Sequence, residues 1–511
     1  MSSTPVHLVV IIHGLWGAPE HVAYLANTLA RTAVSSECLV DIFCPQSISG
    51  TTTYDGIDFC AELVSQEVDQ RRHELEKDGK IVTKFSCVGY SLGGLIARFL
   101  VGLLHSRTPS FFESVEAMNF TTFASPWVGV PKYSTWVGSI VHFFGSKTLS
   151  RTGQQLHLHD KYHCLPNSTQ PGTKFPLITL LAHPKTNFFK ALTNFKTLTI
   201  YANAILDRTV PFVTGAAEKI DCFQLSRKLA LDNLKCNFHL SPSDLTEQQL
   251  LRLGGLELQC DANYPAIVQA AEFVGNSSPS LMPLAESAKA TRGHWFRFLP
   301  KLPFFLKPST YPFPIPFNYL AVLLSPVLVP AFLVYIVGLF CYQSVESQKR
   351  IRKYSVGFLG NHSQRLKRVG LIEELEQSLI EDFVGIGNEN FDGPRSKPIQ
   401  AEQLEGNLVE ADARSSGNNM PSTSSAHGTK YSSYLADELY PKHTLFKDQG
   451  LSQLQVEMIE NINQLPHLAK YFAFFDNIVN SHGAIIYRVE GLSDRRGKFV
   501  GKHWTQTRFI V

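Results

Sequence analysis

A serine flanked by glycines at the end of an apolar run is the first residue in this sequence that could act as a nucleophile. The stretch KFSCVGYSLGGLIARFLVG (84–102) fits the pattern G-x-S-x-G, with Ser91 at its centre. In this pattern a sharp turn between a strand and a helix exposes the serine hydroxyl, and Gly89 and Gly93 let the two elements pass closely. The alternative is an ordinary serine in a glycine-rich turn, since roughly 0.1–0.2 such matches are expected by chance in a chain of this size.

The segment IIHGLWGAPEHV (11–22) supplies a second part of the same chemistry. A histidine-glycine loop directly after a first strand can aim a backbone N–H at a developing oxyanion. We therefore predict that the N–H groups of Leu15 and Leu92 form the oxyanion hole. His13 itself is expected to be a structural hydrogen-bonding residue at the end of the strand.

An acid and a base are needed beside the serine. Asp207, in YANAILDRTVPFVTG, follows a strand-like run and fits the chain order Ser…Asp…His, although an aspartate there could simply cap the turn. His482, in DNIVNSHGAIIYRV, lies in a short loop between two apolar runs, where a histidine can reach into a site. A surface-loop histidine is the alternative for His482, and His239 or His294 would then be the candidate base.

The elements that must position these residues alternate between strands and helices. Apolar runs predict five strands, at 6–12, 38–43, 84–90, 117–124 and 197–203. Helical spacing of apolar residues predicts helices at 21–31, 59–77 and 92–106. This alternation predicts an α/β fold with a mostly parallel sheet and helices on both faces. After residue 445 we expect a long helix over 454–480 and a short strand at 484–490.

Five motifs in order resemble the serine-esterase/lipase family of α/β-hydrolases, a family that includes a lipid-droplet phospholipase. They are IIHGLWG, TYDGID, FSCVGYSLGGLIARFLVG, FASPWVGVP and NAILDRTVPF. The resemblance covers about residues 5–215 and continues at 445–490. It implies an α/β-hydrolase fold, Ser91, Asp207 and His482 as nucleophile, acid and base, and acyl esters of phospholipids or neutral glycerolipids as substrates.

Composition and charge indicate which partners and which cellular compartment to expect. A net charge of +3 over 511 residues gives no support to a nucleic-acid partner. The nine cysteines contain no CxxC pair and are expected to be reduced, which is typical of a cytosol-facing protein. The first residues predict a strand and not a signal peptide. No clustered ligand spacing indicates a metal, and no cofactor is expected.

The remaining chain divides by composition. We predict a hydrolase core at 5–215, followed by a cap or insertion at 216–300 and a hydrophobic membrane anchor at 302–342. A basic juxtamembrane and helical segment at 343–383 precedes a disordered loop at 384–432. The C-terminal part of the core is predicted at 445–490.

The hydrophobic segment 302–342 is predicted to associate with a membrane. From Tyr319 to Tyr342 the chain has 24 residues without a charge, enough to cross ~30 Å of hydrocarbon, and a basic cluster at 349–368 follows. A buried core helix is the alternative. Pro326 and Pro330 predict a hairpin, because proline breaks helices.

A hairpin also keeps the predicted nucleophile and base on one side of the membrane, where a triad can form. We therefore expect the catalytic unit to face the cytosol on a lipid droplet or the endoplasmic reticulum. The predicted function is a membrane-associated serine esterase or lipase that acts on glycerolipids, and its protein partners are left open. Two alternatives remain, namely an inactive hydrolase fold that serves as a membrane scaffold, and a transacylase with the same triad.

Overall fold

A mostly parallel sheet runs through the protein, and the candidate site lies at the carboxyl ends of its parallel strands. The computed structural model describes residues 4–34, 38–132, 148–161, 175–236, 245–273, 317–368, 428–431 and 449–511. Within these ranges the strands are β1 (Thr4–Ile12), β2 (Leu39–Phe43), β3 (Lys80–Tyr90), β4 (Glu116–Phe123), β5 (Thr197–Asn203), β6 (Leu256–Cys260), β7 (Ile267–Phe273), β8 (Lys430–Tyr431) and β9 (Leu468–Ala473).

The described residues also form helices, which include those that cover both faces of this sheet. They are α1 (Ala23–Ala33), α2 (Ile57–Lys77), α3 (Leu92–His105), α4 (Ser150–Leu156), α5 (Leu177–Ala182), α6 (Asn187–Thr193), α7 (Phe212–Gly215), α8 (Cys222–Cys236), α9 (Glu247–Leu253), α10 (Phe317–Arg368), α11 (Gln453–Ile462) and α12 (Gly497–His503). Short 3₁₀ turns lie at Pro19–Val22, Gly50–Tyr54 and Phe111–Glu113, and the π-helical turn Trp504–Arg508 follows α12.

The strand order is β2-β1-β3-β4-β5-β9-β7-β6, and β8 pairs with β7. The pairs from β2 to β9 are parallel, whereas β9 with β7 and β7 with β6 are antiparallel. Parallel strands must be covered on both faces. Accordingly, alternate residues of β1 enter two different cores, with Leu8 and Val10 in one and Val9 and Ile11 in the other. The predicted α/β-hydrolase fold with a mostly parallel sheet is confirmed.

The region 216–300, predicted as a cap or insertion, contributes to the sheet itself. Its described part contains α8, α9, β6 and β7, and β7 pairs with β9 through Ile267 and Val268. The burial of β6 alternates along the strand, as expected for an edge hairpin with one covered face. Residues 256–273 extend the core sheet, so the alternative of a cap is corrected for them, whereas the alternative of an insertion stays a prediction.

The long helix predicted over 454–480 is also corrected. Helix α11 ends at Ile462, and β9 follows at Leu468–Ala473, beside β5. Pro466 lies between the two elements and interrupts a helical pattern. The predicted strand at 484–490 forms turns in the structure. The predicted disordered loop 384–432 lies outside the described residues except for 428–431.

One helix among the described residues is long and apolar enough to cross a membrane. It covers Val322–Lys353 within α10, its most apolar 18-residue window has a mean hydropathy of 2.4, and only 6% of that window is buried. Large apolar side chains are exposed along it, including Leu323 at 74% and Val327 at 70%. This exposure excludes the alternative of a buried core helix for the described part of this segment.

Helix α10 continues through Pro326 and Pro330, where the sequence predicts a hairpin. A proline lacks the N–H that would bind the carbonyl four residues earlier. The Ser325 hydroxyl donates to the Val322 carbonyl at 2.7 Å and so satisfies the acceptor that Pro326 leaves free. The prolines therefore do not reverse the chain, and any returning limb at 302–316 lies outside the described residues.

Candidate active site

Ser91 occupies a strained turn between β3 and α3. Its backbone has φ 55° and ψ −125°, a conformation that costs free energy for a residue with a side chain, and its N–H donates to the Phe123 carbonyl at 2.9 Å. A Cβ atom at Gly89 would lie 2.4 Å from the Gly94 Cα, and one at Gly93 would lie 2.3 Å from the Ile12 carbonyl oxygen. The two glycines are therefore required by the close passage of strand and helix.

His482 lies within hydrogen-bonding distance of Ser91. Its Nε2 is 2.9 Å from the Ser91 Oγ, and its Nδ1 is 3.0 Å from the Asp207 Oδ2. A carboxylate only accepts, so Nδ1 carries the proton and Nε2 can accept the proton of the serine hydroxyl. Ser91 and His482 are each 7% exposed. The structure thus brings together all three residues predicted from the sequence.

The Asp207 carboxylate is held from both of its oxygens. Its Oδ1 accepts the N–H groups of Thr209 at 2.9 Å and Val210 at 2.8 Å, and its Oδ2 accepts the Asn203 amide at 2.7 Å. The Asp207 side chain is only 2% exposed. Four donors, including His482, therefore fix the orientation of the acid and satisfy its charge.

Asn203 is the one residue in this constellation that sequence reasoning missed. It ends β5, four residues before Asp207, and its amide shares the Oδ2 atom with the imidazole. Its own Oδ1 is buried without a partner in the described residues. The sequence feature that could have indicated Asn203 is a polar residue at the carboxyl end of a predicted parallel strand.

The loop that carries His482 is tied to the loop that carries Asp207. The Ser481 N–H donates to the Leu206 carbonyl at 3.0 Å, and its hydroxyl donates to the Ile205 carbonyl at 2.8 Å. On the other side, the Tyr90 hydroxyl donates to the His482 carbonyl at 3.1 Å. These bonds hold the imidazole between the serine turn and the acid.

The predicted oxyanion residues lie on either side of Ser91. Leu92 begins α3, so its N–H has no carbonyl partner within that helix. Leu15 lies in the turn Gly14–Gly17, which the Gly17 N–H closes onto the Gly14 carbonyl at 3.0 Å. A Cβ at Gly14 would lie 3.2 Å from the Ser91 Oγ, which means that this backbone passes directly beside the nucleophile.

His13 braces that turn from the buried side. Its Nδ1 lies 3.0 Å from the Gly14 carbonyl, and a Cβ at Gly17 would lie 2.4 Å from the same Nδ1 atom. Burial lowers the pKa of His13 below its usual value, so the imidazole is neutral at pH 7. A neutral, enclosed ring is consistent with the structural role predicted for it. The alternative bases His239 and His294 lie outside the described residues.

Within the described ranges no group of three or more His, Cys, Asp or Glu side chains is arranged to hold a metal ion. Seven of the cysteines in the same ranges form no disulfide bond, namely Cys38, Cys44, Cys60, Cys87, Cys222, Cys260 and Cys341.

The strand order and the strained serine turn define this chain as an α/β-hydrolase. Residues 2–223 match the family described as Putative serine esterase (DUF676). This match confirms, for that part of the chain, the resemblance to the serine-esterase family predicted from the sequence.

The curated relatives carry lipase names. Putative lipase C4A8.10 of Schizosaccharomyces pombe is 27% identical over 217 residues, which is 42% of this chain and 26% of that protein. Putative lipase ROG1 of Saccharomyces cerevisiae is 28% identical over 237 residues, which is 46% of this chain and 32% of that protein. The chain therefore spans about a quarter to a third of the length of these relatives.

Solved structures with detectable likeness are distant. Phospholipase PlaB from Legionella pneumophila, in complex with thio-NAD, is 14% identical, covers 41% of each chain and has a TM-score of 0.27. A putative cell surface hydrolase from Lactobacillus plantarum is 13% identical, covers 42% of this chain and 75% of its own, and has a TM-score of 0.20.

Proposed function

We propose that the chain is a serine hydrolase that cleaves acyl esters of glycerolipids, including phospholipids, at a membrane surface. The observation that carries this proposal is the hydrogen-bonded series Ser91, His482 and Asp207, in which the serine sits on a strained turn. Lipase names among the relatives support a lipid substrate.

The acylation step follows from the geometry at Ser91. His482 Nε2 takes the hydroxyl proton as the serine oxygen attacks the ester carbonyl, and Asp207 stabilises the imidazolium that forms. The alcohol leaves as a lysolipid or glycerol hydroxyl and takes the proton from His482. An acyl-enzyme on Ser91 remains.

Water then completes the reaction. His482 removes a proton from the water that attacks the acyl-enzyme, and the fatty acid leaves as Ser91 regains its proton. In both steps the carbonyl oxygen becomes an oxyanion, for which the Leu15 and Leu92 amides are the proposed donors. One such donor contributes roughly 10²–10³ in kcat.

Membrane association is proposed from the exposure of α10. Water-exposed apolar side chains over a helix of this length cost free energy that a lipid surface removes, at about 25 cal/mol per Å². From Val322 to Leu339 the helix spans about 27 Å, close to the thickness of a hydrocarbon core.

The proposed location is the cytosolic face of a lipid droplet or the endoplasmic reticulum. The chain on both sides of α10 contributes to one sheet, because β5 and β9 are paired in parallel, and to one site. A membrane-inserted α10 must therefore lie in a segment that returns to the side it left. Such a monotopic arrangement is suited to a monolayer or to one leaflet of a bilayer.

Labelling with a fluorophosphonate probe tests the proposed chemistry. We expect wild-type membranes to be labelled, and Ser91→Ala and His482→Ala to lose the label. His73→Ala, a substitution of an exposed histidine on α2, is the matched control and should keep it. Absence of label in the folded wild-type protein would overturn the enzymatic proposal and favour the scaffold.

Two further measurements separate the remaining alternatives. Product analysis with a phospholipid and an added lysolipid acceptor distinguishes free fatty acid, the product of hydrolysis, from a newly acylated acceptor. Protease protection in intact membranes tests the proposed topology, for which cleavage sites before and after α10 should be equally accessible from the cytosolic side.

A further inference from the structure

Trp16 follows the proposed oxyanion donor Leu15 in the turn Gly14–Gly17. Its φ is 53°, in the left-handed region that a residue with a branched or bulky side chain enters only at a cost. Such a conformation persists when the surroundings hold it. The contacts of Trp16 therefore hold the backbone of the turn that also carries Leu15.

Three contacts hold Trp16 from outside its own loop. Its backbone N–H donates to the Thr53 hydroxyl at 3.1 Å, and its indole Nε1 donates to the Tyr54 hydroxyl at 2.7 Å. Its ring stacks on Phe340 of α10, with centroids 5.7 Å apart and planes 9° from parallel. Trp16 is still 48% exposed, so these contacts leave about half of it open to solvent.

The same helix holds the turn that supplies Thr53 and Tyr54. Arg350 donates to both oxygens of Asp55 at 2.8 Å and to the Thr51 carbonyl at 2.9 Å. Asp55 is fully buried, and the bond to Arg350 raises the pKa of that guanidinium. A paired fork of this kind fixes geometry as well as charge.

Arg350 belongs to the basic cluster predicted to face the membrane, but its side chain forms an ion pair with Asp55 of the hydrolase core. The part of α10 from Phe340 to Arg350 thus contacts both the oxyanion turn Gly14–Gly17 and the turn Gly50–Tyr54 with the adjoining Asp55. We call residues 340–350 the foot of α10. Most of the exposed large apolar side chains of α10 lie in the part that precedes the foot, and Tyr342 and Val345 lie within the foot.

We propose that Phe340 and Arg350 are positioning residues that hold the oxyanion turn in place through Trp16 and Asp55. The value of kcat at Ser91 then depends on the position of the foot of α10 against these two turns. This inference rests on the proposed function and adds a form of control to it. Insertion of the apolar part of α10 into a lipid surface would fix the direction of the helix, and therefore the position of the foot against the hydrolase core.

The physical reason lies in the tolerance of an oxyanion hole. Its donors act only when they lie within about 2.7–3.1 Å of the developing charge. The strained Trp16 backbone relaxes when the stacking and hydrogen bonds that hold it are lost. The neighbouring Leu15 N–H then turns away, whereas the hydrogen bonds among Ser91, His482 and Asp207 remain.

The test uses the full chain in a neutral detergent with p-nitrophenyl butyrate, a soluble ester that does not require lipid binding. The variants are Phe340→Ala, Phe340→Tyr, which keeps the stacking, and Arg350→Lys, which keeps the charge but loses the fork. Val345→Ala is the matched control, since Val345 is 49% exposed on the same helix. Thermal unfolding is recorded for each variant.

We expect Phe340→Ala to lower kcat about tenfold with KM within twofold of wild type, and to slow fluorophosphonate labelling to a similar extent. Arg350→Lys should lower kcat in the same way, and Phe340→Tyr and Val345→Ala should retain it. The inference is overturned if folded Phe340→Ala and Arg350→Lys match Val345→Ala in kcat, or if they change only KM. In those cases the wild type is active and the proposed function stays intact. A folded wild type with no esterase activity and no fluorophosphonate labelling would refute both the proposed function and this inference.

Discussion

The Nε2 atom of His482 lies 2.9 Å from the hydroxyl oxygen of Ser91, although 391 residues separate the two in the chain. The intervening chain includes α10, whose apolar part is exposed. Strand β9 brings the C-terminal region back beside β5, and the loop after β9 delivers His482 to the serine turn. The contact therefore links the arrangement of the site to the topology of the whole chain around its apolar helix.

Asn203 should influence turnover without contacting the reacting atoms. Replacing it with alanine removes the amide donor to Asp207 Oδ2, a hydrogen bond to a charged group worth about 1.5–3 kcal/mol. We expect Asn203→Ala to lower kcat by about 10–100-fold with little change in KM for p-nitrophenyl butyrate. Asn194→Ala, at an exposed asparagine, is the control, and equal kcat values for the two variants would show that the amide does not position the acid.

The stability of the fold should depend on pH through His7. Burial lowers the pKa of His7 from 6.5 to about 4, and its Nε2 lies 2.7 Å from the Ser86 hydroxyl. Between these pH values the unfolded chain binds a proton that the folded chain does not, so the free energy of unfolding falls as the pH is lowered from 6.5 to 4.

The contribution of His7 to that fall should be of order 2–3 kcal/mol. His7→Gln removes the titrating group, so its free energy of unfolding should fall less steeply over the same range. Chemical denaturation at a series of pH values measures the slope. His73→Gln, at an exposed histidine, should keep the wild-type slope, and identical slopes for all three proteins would contradict the assignment.

Gly89 should tolerate no side chain. A Cβ there would lie 2.4–2.5 Å from backbone atoms of Gly93 and Gly94, which cannot move without displacing the serine turn. We expect Gly89→Ala to lower the free energy of unfolding by about 2–3 kcal/mol and to abolish fluorophosphonate labelling. In Gly338→Ala the new Cβ meets no atom within 4 Å, and this variant should be at least as stable as wild type, because alanine favours a helix interior more than glycine does. Normal labelling of Gly89→Ala would refute the argument from close passage.

A charge in the apolar part of α10 should weaken membrane binding. Val327 is 70% exposed, and lysine at the centre of a membrane-embedded helix costs about 3 kcal/mol, or roughly 100-fold in partitioning. We expect Val327→Lys to be lost from floated phosphatidylcholine–phosphatidylserine vesicles that retain wild type. The control is Leu492→Lys, at a residue that is 86% exposed outside α10. Equal flotation of both variants would argue against lipid contact at Val327.

The sequence by itself determined the parts of this protein that depend on near neighbours in the chain. Five strands fall within four residues of their predicted bounds, because apolar runs and glycine positions act locally. The serine turn was predictable for the same reason, since Gly89, Ser91 and Gly93 lie within one turn of chain.

Elements governed by distant contacts were beyond such patterns. The pairing of β7 with β9 made a predicted cap part of the sheet, and the hydroxyl of Ser325 allowed α10 to continue through Pro326. Neither outcome is encoded in the periodicity of apolar residues.

Only the tertiary structure decided which side chains meet at the site. Asn203 reaches Asp207 because a strand end and a turn converge, and Phe340 reaches Trp16 across 324 residues of chain. Periodicity specifies which face of an element is buried, but packing of the complete chain decides which buried or exposed groups become neighbours.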